Sequence, residues 1–442
     1  MAQAICTALS VICPRATVVG TAWRSMALTP KVLETVKATL PAVAAAGPAF
    51  TGHFYKRMFA ANPELLNTFN LANQAKGRQQ KALFNAIAAS AMCVLEDGTL
   101  PTALIEGINQ KHAALNVLPE QYNVVGEHIL GTITEMLDPG QEVLDAWGSL
   151  YGVLADVCVK REEELYKEAE SRPGGWRGMR EFRVKDKYAL SKHVMHFELE
   201  PTDGKPVSEH SAGQYLTLWL HPHGSDKRQP RHYSITNIPS TSTYTIAVKK
   251  EPEGLVSTHL HDRVAVNDVI QVSPPFGNFS LQGIQELWTS DAGTPIVLMS
   301  AGVGITPMLS MLGSLKNGAG VDRKVTWLHQ ARNSQEHNFR DYIVGLARAH
   351  SSDLERRVWY SQPGASDTPG PDNSAPFHFT GHMDLEAIKD LLPLDVPGAH
   401  YFFCGNTTFM KTIAQQLLDL GVAESRLHYE SFGPEEEIVG AK

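Results

Sequence analysis

At "SRPGGWRG", Ser171 to Gly178, the chain changes its hydrophobic period, and this change constrains the fold more than any other feature. On its N-terminal side, from Thr29 to about Ala169, apolar residues recur at helical spacing in "KVLETVKATL", "GHFYKRMFAANPELL", "QQKALFNAIAASAMCVL", "EQYNVVGEHILGTITEML" and "QEVLDAWGSLYGVLADVCVKREEEL". Six or more helices in about 140 residues predict an all-α domain. Thr29-Pro30, Asn62-Pro63-Glu64 and Pro119-Glu120 are read as helix starts, because proline is preset for the first helical position. Beyond the break the period falls to two. "YLTLWLHP", "RHYSITNIP", "TYTIAVKKE" and "DVIQVSPPFGNF" are short runs punctuated by Gly and Pro, the pattern of a small antiparallel β-barrel. From Thr294, buried strands "PIVLMS", "KVTWLH", "RRVWYS" and "HYFFCG" alternate with helical stretches, which predicts an α/β domain with a parallel sheet; the polar loop Gly364–Pro376 lies within it. The expected organisation is an extension over 1–26, a helical domain over 27–170, a linker over 171–178, a barrel over 179–287 and an α/β domain over 288–442. Three cores suit a chain of 442 residues.

Charge and cysteine usage narrow the partners. A net charge of -8 without a long basic run argues against nucleic acid and against an anionic membrane surface. No window approaches the ~18 apolar residues of a membrane span, so the chain reads as soluble and small ligands are the expected partners. The five cysteines, Cys6, Cys13, Cys93, Cys158 and Cys404, are widely spaced and include no CxxC pair, suggesting neither a disulfide framework nor a zinc site. Residues 1–26 contain Arg15 and Arg24 but no acid. That composition permits a mitochondrial transit peptide, with a plain extension before Met26 and a secretory leader as alternatives. The expected compartment is the cytoplasm, with the mitochondrial matrix as the alternative that the extension permits.

Four stretches of the barrel and the α/β domain carry chemistry. In "PIVLMSAGVGITPM" a buried strand ends at Ser300, and Gly302 and Gly304 flank Val303 in a turn that lets backbone approach a ligand. After Ile305, Thr306-Pro307 is expected to cap a helix whose first N–H groups favour phosphate, so the stretch reads as a dinucleotide site. "HYFFCGNTTFM" repeats that logic at Cys404-Gly405. In "RHYSIT", Arg231 and Tyr233 share one strand face, offering a fork for phosphate and a ring for stacking, while His232 and Ser234 take the other. "EPEGLVSTHLHD" turns at Gly254 and passes Val256 into a helix expected to begin near Ser257, a second anion site. The helical domain contributes "ALIEGINQKHAAL", where His112 shares a helix side with Leu104, Ile108 and Leu115. Taken alone, such a histidine is more often a core residue than a ligand.

The order "RHYS", "GLVS", "AGVGITPM", "CGNTTFM", "YESFGP" resembles the ferredoxin-reductase family, whose barrel binds FAD and whose α/β domain binds NAD(P)H. The helical domain resembles a globin. More closely, "GHFYKRMFAANPEL", "FNLANQ", "ALFNAIAA", "QKH", "PEQYNVVGEHIL" and "GQEVLDAWGSLYGVLA" look like the flavohaemoglobins, the nitric oxide dioxygenases, and the likeness runs from roughly Lys31 to Pro434. The resemblance implies haem b, FAD and NAD(P)H as cofactors. It implies His112 as proximal ligand to the haem iron, with Tyr122 and Glu162 behind it, although "KREEEL" around Glu162 otherwise reads as a solvated helix face. It places Tyr55 and Gln79 in the distal pocket, Phe69 at the haem edge and Leu83 where it narrows the ligand site. Lys111 and Glu430 match redox-tuning positions between haem and flavin. Tyr215 matches a flavin contact, and in the terminal motif of Ser431, Phe432, Gly433 and Pro434 the Phe432 ring covers the flavin. Departures are His232 where glutamine is frequent, Ile305 at a variable place, and the N-terminal extension.

The implied activity passes electrons from NAD(P)H through FAD to haem iron, where dioxygen oxidises nitric oxide to nitrate, in a chain expected to be monomeric. A haem sensor or store, and a reductase for other acceptors, are the rival readings. Arg332 could meet the 2′-phosphate of NADPH, yet a surface arginine near a strand end is the commoner explanation, and the choice between NADH and NADPH stays open.

Overall fold

Thr29 opens the first helix as its sequence predicts: its hydroxyl accepts from the Val32 N–H, and Pro30 occupies the first helical position. The computed structural model describes residues 28–71, 74, 77–283, 293–317, 323–433 and 438. It divides into two compact units, a helical one formed mainly by the chain up to Glu170 together with Ser225–Pro230, and a second formed by Ser171–Gly224 and Arg231–Val439. The extension over 1–26 lies outside the described residues.

The helical unit contains α1 (Pro30–Ala61), α2 (Arg78–Asp97), α3 (Thr102–Ala114), α4 (Pro119–Leu137) and α5 (Gln141–Ser171). Gly47, at φ 49, breaks α1, a conformation that costs glycine little, and Pro48 then sets φ for the second stretch. The Asn62-Pro63 start gives a 3-10 turn over Pro63–Asn67 rather than an α-helix. The Asn62 amide is diverted from capping, donating instead to the Met58 carbonyl at 3.3 Å and lying 2.9 Å from His128 Nε2. The core joins Val36, Phe50, Phe54, Met58, Ile129, Ile133, Trp147 and Leu150, and each fully buried Phe contributes roughly 1.5–3 kcal/mol.

The strands of the first sheet are β1 (Arg180–Ser191), β2 (Val194–Pro201), β3 (Tyr215–Leu220), β4 (Gln229–Ser234), β5 (Tyr244–Lys249) and β6 (Val269–Val272). Their order is β4-β3-β6-β1-β2-β5, with antiparallel pairing of β1 to β2 and β6, β2 to β5, and β3 to β6. A bridge between Ile235 and Ile246 joins the two ends and closes the antiparallel barrel.

The second sheet comprises β7 (Ile296–Ala301), β8 (Val325–Ala331), β9 (Leu354–Tyr360), β10 (Phe379–Thr380), β11 (His400–Gly405) and β12 (Leu427–Ser431), in the order β10-β9-β8-β7-β11-β12. Every pairing in it is parallel. Helices α7 (Ile305–Asn317), α8 (Arg340–Ala349) and α9 (Thr407–Asp419) follow β7, β8 and β11, while α6 (Leu255–Asp262) belongs to the barrel. The chain moves outward from β7 to β10, then returns to the other side of β7 with β11. The strand order therefore reverses between β7 and β11, and the crevice beyond their C-terminal ends is where open α/β sheets take ligands.

Barrel and sheet share a core: Ala212, Phe279 and Leu281 pack with Met308, Met311 and Phe402. Ser310 Oγ and His210 Nε2 both reach the Asn237 carbonyl, at 2.8 and 3.1 Å, and burial pushes the His210 pKa down to about 4, so this ring is a neutral donor. Among the described residues no helix is long and apolar enough to cross a membrane, and no three His, Cys, Asp or Glu side chains cluster as metal ligands. Cys93, Cys158 and Cys404 are buried, and none of the three forms a disulfide.

Candidate functional site

His112 lies in the last turn of α3. The helix turns Ile105, Asn109 and Ala113 into the core, whereas Leu104, Ile108, His112 and Leu115 form a half-buried apolar stripe beside it. His112 Nδ1 is 2.9 Å from Glu162 Oε1 and 2.8 Å from the Tyr122 hydroxyl, which itself donates to Glu162 Oε1 at 2.5 Å. Glu162 is only 2% exposed, far from the solvated face that "KREEEL" suggests. A buried carboxylate is costly unless donors answer it, and these are its donors. Since the single Tyr122 proton goes to the carboxylate, the ring proton must sit on Nδ1, and Nε2 keeps its lone pair. Burial raises the Tyr122 pKa, with Cys158 and Glu162 adding to the effect, so the phenol stays protonated.

The helices are fixed to keep this triad in place. Tyr151 on α5 donates to the Tyr122 carbonyl on α4 at 2.7 Å, and Gly126 permits the approach, since a Cβ there would come within 2.6 Å of the Tyr151 ring. Arg161 forks onto Glu106 at 2.9 and 3.2 Å, joining α5 to α3. Lys111, the residue before the ligand candidate, is half-buried.

Tyr55 of α1 is 5% exposed and sits in an aromatic group with Phe54, Phe59 and Phe69, ring centroids 4.8, 5.6 and 5.8 Å away. Burial raises its pKa, partly offset by hydrogen bonds with the Gln74 and Gln79 side chains. The structure thus brings Tyr55, Gln79 and Phe69 together, with Leu83 of α2 half-buried on the same core. It adds Gln74, a residue of the "FNLANQ" run to which the sequence assigns no role.

In the barrel, Arg231 and Tyr233 of β4 are half-buried, while His232 is exposed and Ser234 buried, so the alternation holds without a uniformly wet face. Burial lowers the Arg231 pKa. Across to β3, His232 contacts Thr217 Oγ1 at 2.8 Å and the Tyr215 ring at 4.8 Å. Gly277, at φ 114, lets that ring lie flat on backbone; a Cβ would stand 2.9 Å from it. Helix α6 starts at Leu255, two residues before the sequence expectation, because Ser257 closes the preceding turn: its hydroxyl accepts from the Glu251 N–H at 3.1 Å and donates to the Gly254 carbonyl at 3.2 Å. Val256 turns into the core, leaving backbone N–H groups as this turn's anion donors.

Three loops leave the parallel sheet at one edge. Gly302 to Gly304 form a 3-10 turn after β7, and α7 begins at once with Ile305. Thr306 therefore does not cap the helix as expected; its hydroxyl donates back to the Val303 carbonyl at 3.0 Å, and Pro307 occupies the first turn, where no N–H is needed. Beside this turn β11 ends at Cys404-Gly405, where Asn406 caps α9 by accepting from the Phe409 N–H at 2.9 Å. Next to it β12 pairs Glu430 with Cys404 and Ser431 with Gly405, and the chain continues through Phe432, 48% exposed, to Gly433. Pro434 lies outside the described residues. A Cβ on Gly304 would stand 2.2 Å from the Cys404 carbonyl oxygen. Gly304→Ala is therefore expected to destabilise the second unit by about 1–3 kcal/mol and to weaken coenzyme binding, checked by thermal melting and by the KM for coenzyme.

These residues suit the cofactors that each region would take: a metal-competent imidazole above an apolar stripe, a barrel groove with a cation and flat ring, and a glycine edge for pyrophosphate. Such a chain is a multidomain oxidoreductase. The globin model matches residues 52–158, the oxidoreductase FAD-binding domain residues 181–281, and the oxidoreductase NAD-binding domain residues 298–415. The flavohaemoglobin of Malassezia yamatoensis, solved with bound FAD and haem, superposes with a TM-score of 0.80 at 26% identity over 92% of this chain and 100% of that one. The FAD/NAD-binding domain of nitric oxide dioxygenase from Vibrio cholerae O1 biovar El Tor is 33% identical, with a TM-score of 0.50, over 58% of this chain and 100% of that one. The chain belongs to the flavohaemoglobin family, an NAD(P)H oxidoreductase with haem and FAD as cofactors.

Proposed function

We propose that the chain is a nitric oxide dioxygenase that detoxifies nitric oxide to nitrate with dioxygen and NAD(P)H. The observation that carries this reading is the His112–Tyr122–Glu162 triad. A buried carboxylate that accepts the imidazole Nδ1 proton raises the electron density available at Nε2, which suits turnover better than storage. When bound, NAD(P)H supplies a hydride, FAD divides it into single electrons, and haem iron supplies the dioxygen chemistry.

His112 Nε2 would hold the iron, and Tyr55 would direct its proton into the distal pocket with Gln79 and Gln74 orienting the hydroxyl. Phe69 and Leu83 would line that pocket. Tyr215, Arg231, His232, Tyr233, Ser234 and the Gly254–Ser257 turn would hold FAD, with Phe432 covering the ring system. Gly302–Pro307 and Cys404-Gly405 would hold NAD(P)H, and Lys111 and Glu430 would tune the potentials from their own units. Dioxygen and nitric oxide are the substrates.

Oxygenated protein given NAD(P)H and nitric oxide at a nitric oxide electrode is expected to consume nitric oxide continuously and accumulate nitrate. Coenzyme oxidation without nitric oxide loss would place the chain among reductases for other acceptors.

A further inference from the structure

Strand β8 ends at the same edge of the sheet as the Gly302–Gly304 turn, because β7 and β8 pair in register from Ile296↔Val325 to Ala301↔Gln330. The loop leaving β8 brings Arg332 and Glu336 together, Nη1 to Oε1 at 3.1 Å, with side chains 57% and 30% exposed. In a dinucleotide-binding sheet, the region after the strand beside the glycine turn faces the adenosine ribose. An acid there receives the 2′-hydroxyl of NADH, and a cation there receives the 2′-phosphate of NADPH. This chain carries one of each, bound to one another.

We propose that Arg332 and Glu336 set coenzyme choice, with Glu336 holding the protein to NADH by occupying Arg332 and opposing a 2′-phosphate. The proposal rests on the assignment of the Gly302–Pro307 edge to NAD(P)H. The surroundings add to the same sign. Asp367 presents a second carboxylate to this loop, accepting from the N–H groups of Ser334 at 3.2 Å and Gly364 at 2.8 Å. Arg340, the first residue of α8, is engaged by Asp341 at 3.0 Å and also acts on Asp367. A dianionic phosphate thus meets a guanidinium already held by Glu336, on a loop whose backbone also binds the Asp367 carboxylate, whereas a hydroxyl meets acceptors.

An exposed ion pair of this kind adds little stability. Its effect is on the charge that a ligand sees. The loop is anchored independently of it: the Gln362 N–H donates to the Arg332 carbonyl at 2.8 Å, and His337 stacks on His329 at 5.0 Å while contacting the Tyr360 hydroxyl at 3.0 Å. Substitution at either end of the pair therefore alters charge without loosening the backbone.

The test measures kcat/KM for NADH and NADPH on the holoprotein, with ferricyanide as acceptor. The original chain is expected to favour NADH. Glu336→Gln should raise the NADPH-to-NADH ratio about tenfold, through KM for NADPH, because a charge-assisted contact is released to the phosphate. Arg332→Ala should lower that ratio, and the double variant should lose the Glu336→Gln gain; unchanged melting and flavin content verify folding. A Glu336→Gln ratio within about twofold of the original, a gain that survives in the double variant, or an original chain favouring NADPH would overturn the proposal. If neither coenzyme bleaches the flavin of the original chain, the nucleotide-edge assignment itself fails, taking the proposal with it.

Discussion

Replacing His112 by alanine is expected to yield a folded protein that keeps its flavin and carries no haem above background. The imidazole is the metal-competent group on the half-buried stripe of α3, with its tautomer set by the buried Glu162. The flavin-side residues all belong to the second unit, so ferricyanide reduction by NAD(P)H should persist. Nitric oxide consumption should fall to background. His112→Gly supplies a second readout, since added imidazole can enter the space of the lost ring and should restore a haem spectrum. An alanine variant with the original haem content and spectrum would show that another histidine is the ligand.

Tyr55→Phe is expected to quicken oxygen release from the haem-loaded protein by roughly 10- to 100-fold, the equivalent of a charge-assisted hydrogen bond of about 1.5–3 kcal/mol. The ring, with its contacts to Phe54, Phe59 and Phe69, is kept, and only the donor is removed. Burial holds the phenol protonated, so it remains a donor throughout the physiological range. Turnover should suffer most at low oxygen, while haem reduction by NAD(P)H should barely change. Stopped-flow oxygen release measured beside a melting curve decides the matter. Unchanged release from a destabilised variant would reduce Tyr55 to a packing residue.

The fold was legible where backbone periodicity and glycine chemistry act locally. The shift from helical to alternating spacing across Ser171–Gly178 marks where α5 ends and the strands begin, and the glycines after β7 and β11 mark loops that meet at one sheet edge. Details governed by tertiary packing were not. Thr306 has the composition of a cap, but the 3-10 turn carries Gly302–Gly304 straight into α7 and leaves that hydroxyl to Val303. Ser257 looks like a helix start, yet it closes the turn before one. Glu162 shows the limit most clearly. In a run of five charged residues only resemblance singled it out, because its burial depends on Tyr122 and His112 arriving from two other helices. Gln74 closes the "FNLANQ" run that carries part of the resemblance, yet nothing in the sequence assigned it a role, and the pairing of Arg332 with Glu336 depends on the path of the loop after β8.

The most direct test of the proposed activity is turnover of nitric oxide under isotopically heavy dioxygen, with mass analysis of the nitrate formed. Dioxygenation by the haem-loaded protein with NAD(P)H predicts that both added oxygen atoms are heavy, with two nitrates formed per hydride because each hydride delivers two electrons. Nitrate carrying a light added oxygen, or nitric oxide loss without nitrate, would contradict the account.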